Sequence, residues 1–316
     1  MRALVTGGAG FIGSHLVDAL LARGDDVVVL DNLATGRLDN VDPAALFVDG
    51  DVADPAAVAR AAAGCEVVYH QAALGSVARS VDDPLASDRA NVTGTLSLLT
   101  AARAAGVRRV VLASSSSVYG GARQRPTPES APLLPRSPYA ATKLAAEHYG
   151  RVFWELDGLE VVALRYFNVF GPRQRPDSAY AAVVPRFVSA ALAGERPHVD
   201  GDGGQSRDFT YVADVVRANL CAAAAPADGC AGRAFNVGRG EPVSLLEVLD
   251  ALAACLGRPL DPRFGPRRPG DVRHSHADIS AARRQLGYDP KVPFAEGLER
   301  TIVWLCDREA AALHSP

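Results

Sequence analysis

"RALVTGGAGFIGSHLVDALLARGDDVVVLDNL" (residues 2–33) decides the fold. Residues 3–6 are a short apolar run that opens into a glycine turn. Gly7, Gly10 and Gly13 stand there at the spacing G-x-x-G-x-x-G. Ile12, Leu16, Ala19 and Leu20 then recur at helical period. Residues 27–30 read as a second buried strand, and it ends in Asp31. Strand, glycine turn, helix and acid-tipped strand is the pattern of a dinucleotide site. Glycines let a pyrophosphate approach the backbone, and the new helix offers unpaired N–H groups and the positive end of its dipole. Asp31 can accept hydrogen bonds from an adenosine ribose and would repel a 2′-phosphate, which points to NAD rather than NADP.

More units follow. "ALFVDGDV" (45–52) ends in Asp51, and "CEVVYHQAA" (65–73) runs from a strand into small residues. "NVTGTLSLLTAARAAGV" (91–107) reads as a helix with Gly106 where its C-cap would lie. "RRVVLASSSSVYG" (108–120) and "LEVVALRYFNVFG" (159–171) are further buried strands. Strands alternating with helices predict an α/β fold, a Rossmann-type doubly wound parallel sheet. Its ligands should lie beyond the C-terminal strand ends. Those ends carry Thr6, Asp31, residues 71–73, residues 114–117 and residues 166–168.

The 316 residues suffice for one large domain or two modest ones. At 48% apolar and 22% charged, the composition is that of a soluble globular protein. A formal charge of −3 gives no reason to expect a nucleic-acid partner. Cys65, Cys221, Cys230, Cys255 and Cys306 are scattered without a metal-ligand spacing, so no metal is expected. Their odd, patternless count fits a reducing, cytoplasmic location. The opening residues run straight into a strand, leaving no room for a signal peptide. No apolar run reaches a membrane-spanning length, so no membrane partner is expected.

"RSPYAATKLAAE" (136–147) places Tyr139 and Lys143 four apart, on one helical face. Pro138 suits the first turn of that helix. An ammonium beside a phenol favours phenolate and lowers its pKa. With a serine from the neighbouring strand end holding a substrate hydroxyl, the set is a general base for removing an O–H proton while hydride leaves the same carbon. The back half is richer in loops of Gly, Pro, Arg and Asp. Arg207 and Arg268 each read as sitting in a Gly-rich loop, suited to clamp a diphosphate.

In this order, "TGGAGFIG", "SSSSVYG", "YAATK" and "RYFNVFG" resemble the extended short-chain dehydrogenase/reductase superfamily, and within it the nucleotide-sugar epimerases. The likeness runs to about residue 298. It implies tightly held NAD and a catalytic set of Ser115, Tyr139 and Lys143. The coenzyme contacts on this reading are Gly7, Gly10, Phe11, Ile12, Gly13, Asp31, Asn32, Asp51, Val52, Gln71, Ala72, Ala73, Tyr139, Lys143 and Tyr166. The resemblance also puts Asn168, Arg207 and Arg268 on a UDP diphosphate and Asp271 near the uridine ribose. The backbone of residues 184–187, bounded by Val184 and Phe187, resembles the uracil-binding segment.

Dehydratases and decarboxylases of the superfamily carry acids after the catalytic Ser or Thr; here Ser116 and Ser117 stand in their place. That favours oxidation and return at C4 of a UDP-sugar through a 4-keto intermediate. Ser275 stands where the narrow galactose epimerases resemble one another in having Tyr, so C2 has room for an N-acetyl group. "GPRQRPD" (171–177) resembles the UDP-glucuronate 4-epimerases, which implies that Arg175 meets a sugar carboxylate. Arg79 is a further candidate for phosphate or sugar. UDP-glucuronate is the first-choice substrate, with UDP-N-acetylglucosamine or UDP-glucose as alternatives. A non-catalytic NAD sensor is the reading from another class, disfavoured by the Tyr139/Lys143 pair. Residues 1–170, with about 208–240, are expected to hold NAD; about 171–207 and 241–316 should form the nucleotide-sugar lobe. By analogy the chain should pair as a homodimer through helices near 91–105 and 139–154.

Overall fold

The computed structural model describes residues 1–175, 182–267 and 272–313. Its centre is a seven-stranded parallel sheet. The strands are β1 (Arg2–Thr6), β2 (Asp26–Asp31), β3 (Leu46–Asp49), β4 (Val67–His70), β5 (Arg109–Ser115), β6 (Glu160–Tyr166) and the late strand Arg233–Val237. From one edge the order is Arg233–Val237, β6, β5, β4, β1, β2, β3. The order reverses between β1 and β4, which opens a crevice at their C-terminal ends. β1, β2, β4, β5 and β6 are buried almost throughout because both faces of a parallel sheet are covered.

One face packs beneath α1 (Phe11–Ala22) and the helix Val212–Ala224; Leu16, Val17, Leu20 and Val215 have no exposure. The other face packs beneath the helix Pro55–Ala62, the run ending at Ala104, and the helix Pro138–Asp157. A third cluster joins Phe170, Phe187, Phe209 and Phe294 to Val248 and Leu252 of the helix Leu245–Leu256. Ser244 caps that helix in a reciprocal box with Glu247.

Two expectations are revised. The helix expected from residue 91 is part of a longer run: Pro84–Asp88, a π-turn over Arg89–Thr93, then Gly94–Ala104. An ideal Cβ on Gly94 would stand 2.6 Å from Val52 Cγ1, so the glycine lets the run press against the segment that follows β3. Gly106, at φ +70°, terminates it as expected. Arg207 is not in a loop. It lies on the short strand Ser206–Asp208, which pairs antiparallel with Pro242–Ser244.

Candidate active site

A cleft of about 1120 Å³ runs across the C-terminal ends of the sheet. Its first wall is the glycine turn. Gly7 has φ +69°, and a Cβ there would lie 2.6 Å from the Ala72 nitrogen. A Cβ on Gly13 would lie 2.1 Å from the Gly7 carbonyl oxygen. Neither position tolerates a side chain. Gly10 is the N-cap of α1 and has no side-chain cap, so the N–H groups of the first turn face the cleft without one. Phe11 and Ile12 line the same wall.

Asp31 ends β2, and its carboxylate accepts from Ala9 N (3.0 Å) and Leu33 N (2.8 Å). Burial raises its pKa, and those two amides oppose the shift. Asn32, Asp51 and Val52 stand beside it, while Gln71, Ala72 and Ala73 form the floor beyond β4. Bare glycines, an uncapped helix start and a carboxylate at the tip of the next strand fit a dinucleotide.

Ser115 ends β5 and caps the short turn Ser116–Tyr119, accepting from Ser117 N at 3.2 Å. Tyr139 is half-buried in the first turn of its helix, next to Pro138 and after the N-cap Ser137. Its N–H donates to Ser80 Oγ at 3.0 Å. Lys143 is buried; its Nζ donates to the Ala113 carbonyl at 2.8 Å and lies 6.0 Å from the Tyr139 ring centroid.

The sequence predicts that Lys143 lowers the Tyr139 pKa. The structure corrects this: burial dominates and raises it, with a hydrogen bond to Ser115 pulling the other way. Lys143 is itself pushed down to about 8 by burial, against the opposing charge of Glu147. A low-dielectric setting penalises each ion before the two can help one another.

Behind this trio lies a buried ion pair. Arg165 reaches Glu147 through Nε (3.0 Å) and Nη2 (2.8 Å), and Ser114 donates to the same carboxylate. Tyr166 lines the cleft and donates to Gln71 Oε1 (3.2 Å).

Arg79, Ser116, Ser117, Asn168, Arg175, Arg207 and Ser275 all line the cleft's other half. Asn168, at φ +29°, donates to the Asp208 carbonyl (3.3 Å) and contacts Ser275 Oγ (3.5 Å). Arg207 donates to the Ser206 carbonyl at 2.9 Å. Val184 and Phe187 have buried side chains and line a second cavity of about 400 Å³ that shares Asn168 and Arg207 with the cleft. Arg268 and Asp271 lie outside the described residues.

Sequence reasoning missed Arg136, Arg173, His274 and Arg308, all of which line the cleft. Arg136 precedes the Tyr139 helix directly, so its position was a usable signal. Arg308 reaches in from the C-terminal helix Phe294–Leu313, and no local pattern announces that. Among the described residues the cleft's carboxylates, Asp31 and Asp51, both stand by β2 and β3, while arginines dominate the remainder. Such a surface attracts a ligand with several negative charges.

Fold and cleft together define a dinucleotide-dependent enzyme of short-chain dehydrogenase type. The profile of the NAD dependent epimerase/dehydratase family matches residues 3–238. The chain is 46% identical to the UDP-glucose 4-epimerase of Mycolicibacterium smegmatis, over 96% of this chain and 97% of that one. Among solved structures it resembles a UDP-N-acetylglucosamine 4-epimerase from Methanobrevibacter ruminantium in complex with UDP-N-acetylmuramic acid (TM-score 0.92, 39% identity, 97% and 98% of the two chains). It also resembles MoeE5 in complex with UDP-glucuronic acid and NAD (TM-score 0.88, 38% identity, 98% and 100%). The chain belongs to the NAD dependent epimerase/dehydratase family: it is an NAD-dependent enzyme whose full-length relatives include UDP-sugar 4-epimerases.

Proposed function

We propose that the protein is a UDP-sugar 4-epimerase that interconverts UDP-glucuronate and UDP-galacturonate. Bound NAD would supply the hydride acceptor and donor, and its cationic ring a further charge favouring the Tyr139 phenolate. Tyr139 accepts the O4 proton as C4 is oxidised, and returns it when the 4-keto sugar is reduced on its other face. Ser115 holds O4, and Lys143 keeps the phenol oriented and the site cationic. Ser116 and Ser117 offer no carboxyl group to protonate a leaving hydroxyl. Asn168 and Arg207, with Arg268, would take the diphosphate, and the second cavity the base. On this reading residues 1–170 and about 208–240 hold the coenzyme, and the rest hold the sugar nucleotide.

The observation that carries the choice of sugar is Arg175 in the arginine-rich half of the cleft, on the loop after the short strand Val169–Phe170. A guanidinium matches a C5 carboxylate in a way a hydroxymethyl group cannot exploit. MoeE5 is solved with UDP-glucuronic acid and also with UDP-glucose, so a relative of this fold admits a uronate beside a neutral hexose. The test is turnover of UDP-glucuronate, UDP-glucose and UDP-N-acetylglucosamine, with products resolved by NMR. Arg175→Ala should lower kcat/KM on the uronate about 10–100-fold, the worth of one charge-assisted contact, and leave UDP-glucose unchanged. No product from UDP-glucuronate would end the proposal.

A second reading, UDP-N-acetylglucosamine as substrate, is favoured by Ser275, whose small side chain faces the cleft. We also propose a homodimer, formed through the helices near 91–105 and 139–154. Exposed Tyr149, Val152 and Leu156 on the second helix support it.

A further inference from the structure

The imidazole of His70 is buried at 2% exposure behind the cleft floor and has no part in the chemistry above. Each ring nitrogen has one partner: Thr6 Oγ1 lies 2.7 Å from Nδ1, and Thr95 Oγ1 lies 3.0 Å from Nε2. The proton positions follow from the ends of the chain. Thr95 donates its own hydroxyl hydrogen to the Asn91 carbonyl at 2.5 Å, so its oxygen accepts from His70, and Nε2 carries the ring hydrogen. Nδ1 is then the acceptor and Thr6 the donor. Thr6 Oγ1 in turn accepts from Ala72 N at 3.3 Å. Burial, helped by the charge of Lys143, pushes the imidazole pKa down to about 3 and keeps the ring neutral.

The chain continues to the catalytic helix. Asn91 accepts from Leu74 N (2.8 Å) and donates to Thr142 Oγ1 (3.0 Å). Thr142 donates to the Tyr139 carbonyl (2.8 Å). Thr6, Asn91, Thr95 and Thr142 are at most 5% exposed. Backbone pairing already holds Thr6 opposite His70 within the sheet. What the backbone does not provide is a tie from sheet to helices. That tie crosses the π-turn at Arg89–Thr93, a kind of irregularity common at functional sites.

We propose that His70 is a positioning residue: its Nε2–H imidazole, braced between Thr6 and Thr95, fixes the coenzyme-holding glycine turn relative to the helix that presents Tyr139 and Lys143. A neutral ring with one donor and one acceptor matches the direction that Asn91 and Ala72 set at the two ends, and so gives both threonine hydroxyls a partner. Phenylalanine would fill the space and leave two buried hydroxyls short of a partner. Relaxation of about 1 Å between turn and helix is enough to cost about 10²-fold in rate.

The inference rests on Tyr139 and Lys143 being the catalytic pair, so Tyr139→Phe is the control. The assay uses NAD-loaded enzyme and the UDP-sugar that the wild type turns over fastest. His70→Phe should lower kcat about 10–100-fold, with KM for the sugar nucleotide nearly unchanged. His70→Gln keeps the order of acceptor and donor and should restore most of the loss. Thr142→Val should lower kcat in the same manner, and combining it with His70→Phe should cost less than the product of the two. In the ¹⁵N spectrum His70 should carry its hydrogen on Nε2.

Wild-type kcat in His70→Phe, simple multiplication in the double variant, or a hydrogen on Nδ1 would overturn the proposal. Should His70→Phe fail to fold, Thr95→Val and Thr142→Val take its place, and wild-type kcat in both would overturn it as well. An active Tyr139→Phe brings down the reading of the site and this inference with it. An inactive Tyr139→Phe beside an unimpaired His70→Phe brings down only the bridge.

Discussion

Replacing Glu147 by Gln should cost the fold about 3–5 kcal/mol, the usual penalty for breaking a buried ion pair from one side. The Glu147 and Arg165 side chains are 8% and 5% exposed, and the pair is bidentate at 3.0 and 2.8 Å. Gln preserves shape and one acceptor oxygen but removes the charge. Arg165 would keep Tyr119 Oη (2.8 Å) and the Glu129 carbonyl (3.1 Å), neither of which is an anion. The loss should therefore fall at the lower end of the range. Urea unfolding at pH 7 measures it as a fall in midpoint at constant slope. Glu147→Met/Arg165→Met removes both charges together and should lie within about 2 kcal/mol of wild type, as apolar replacements of whole pairs do. A Gln variant within 1 kcal/mol of wild type, on the scale of an exposed pair, would refute the reasoning. So would a double variant worse than the single. Glu147 also supports the charge of Lys143. In Glu147→Gln the Lys143 pKa falls below about 8, so the alkaline limb of the kcat profile should move to lower pH.

Lys143→Met should abolish turnover yet stabilise the protein at pH 7. The folded-state pKa of about 8 against 10.5 means that burial handicaps the charged lysine by about 3 kcal/mol. Both states hold the proton at pH 7, and the wild type sheds the handicap as pH rises from 8 to 10.5, so the variant's advantage in urea midpoint should shrink across that window. Gly13→Ala places a methyl 2.1 Å from a backbone oxygen and should abolish retention of NAD, read as nucleotide released on denaturing purified protein. Ser275→Tyr should cut kcat/KM on an N-acetylhexosamine substrate more than on UDP-glucose, read by competing the two substrates.

Local signals carried most of the fold. The glycine spacing, the apolar runs and the acid after residues 27–30 identified the first βαβ unit and its crevice. Pro138 and Gly106 marked helix ends because proline and glycine act on their own φ angles. Arg207 misled: glycines at 201, 203 and 204 suggested a loop, yet Ser206–Asp208 form a strand whose partner, Pro242–Ser244, lies over thirty residues away. The phenol of Tyr139 misled for a different reason. Spacing showed its neighbour Lys143 but not the burial that raises the phenol's pKa against the Ser115 hydrogen bond.

By itself, then, the chain's order of residues determined the parallel sheet, the nucleotide-binding turn and the phenol and ammonium four apart on one helix. These depend on periodicity and on backbone preferences that act over a few residues. Only the tertiary structure decided the His70 bridge, the buried Glu147–Arg165 pair and the entry of Arg308 into the cleft. Each joins groups 18 to hundreds of residues apart, the first two in a low-dielectric interior, and no single stretch encodes those meetings.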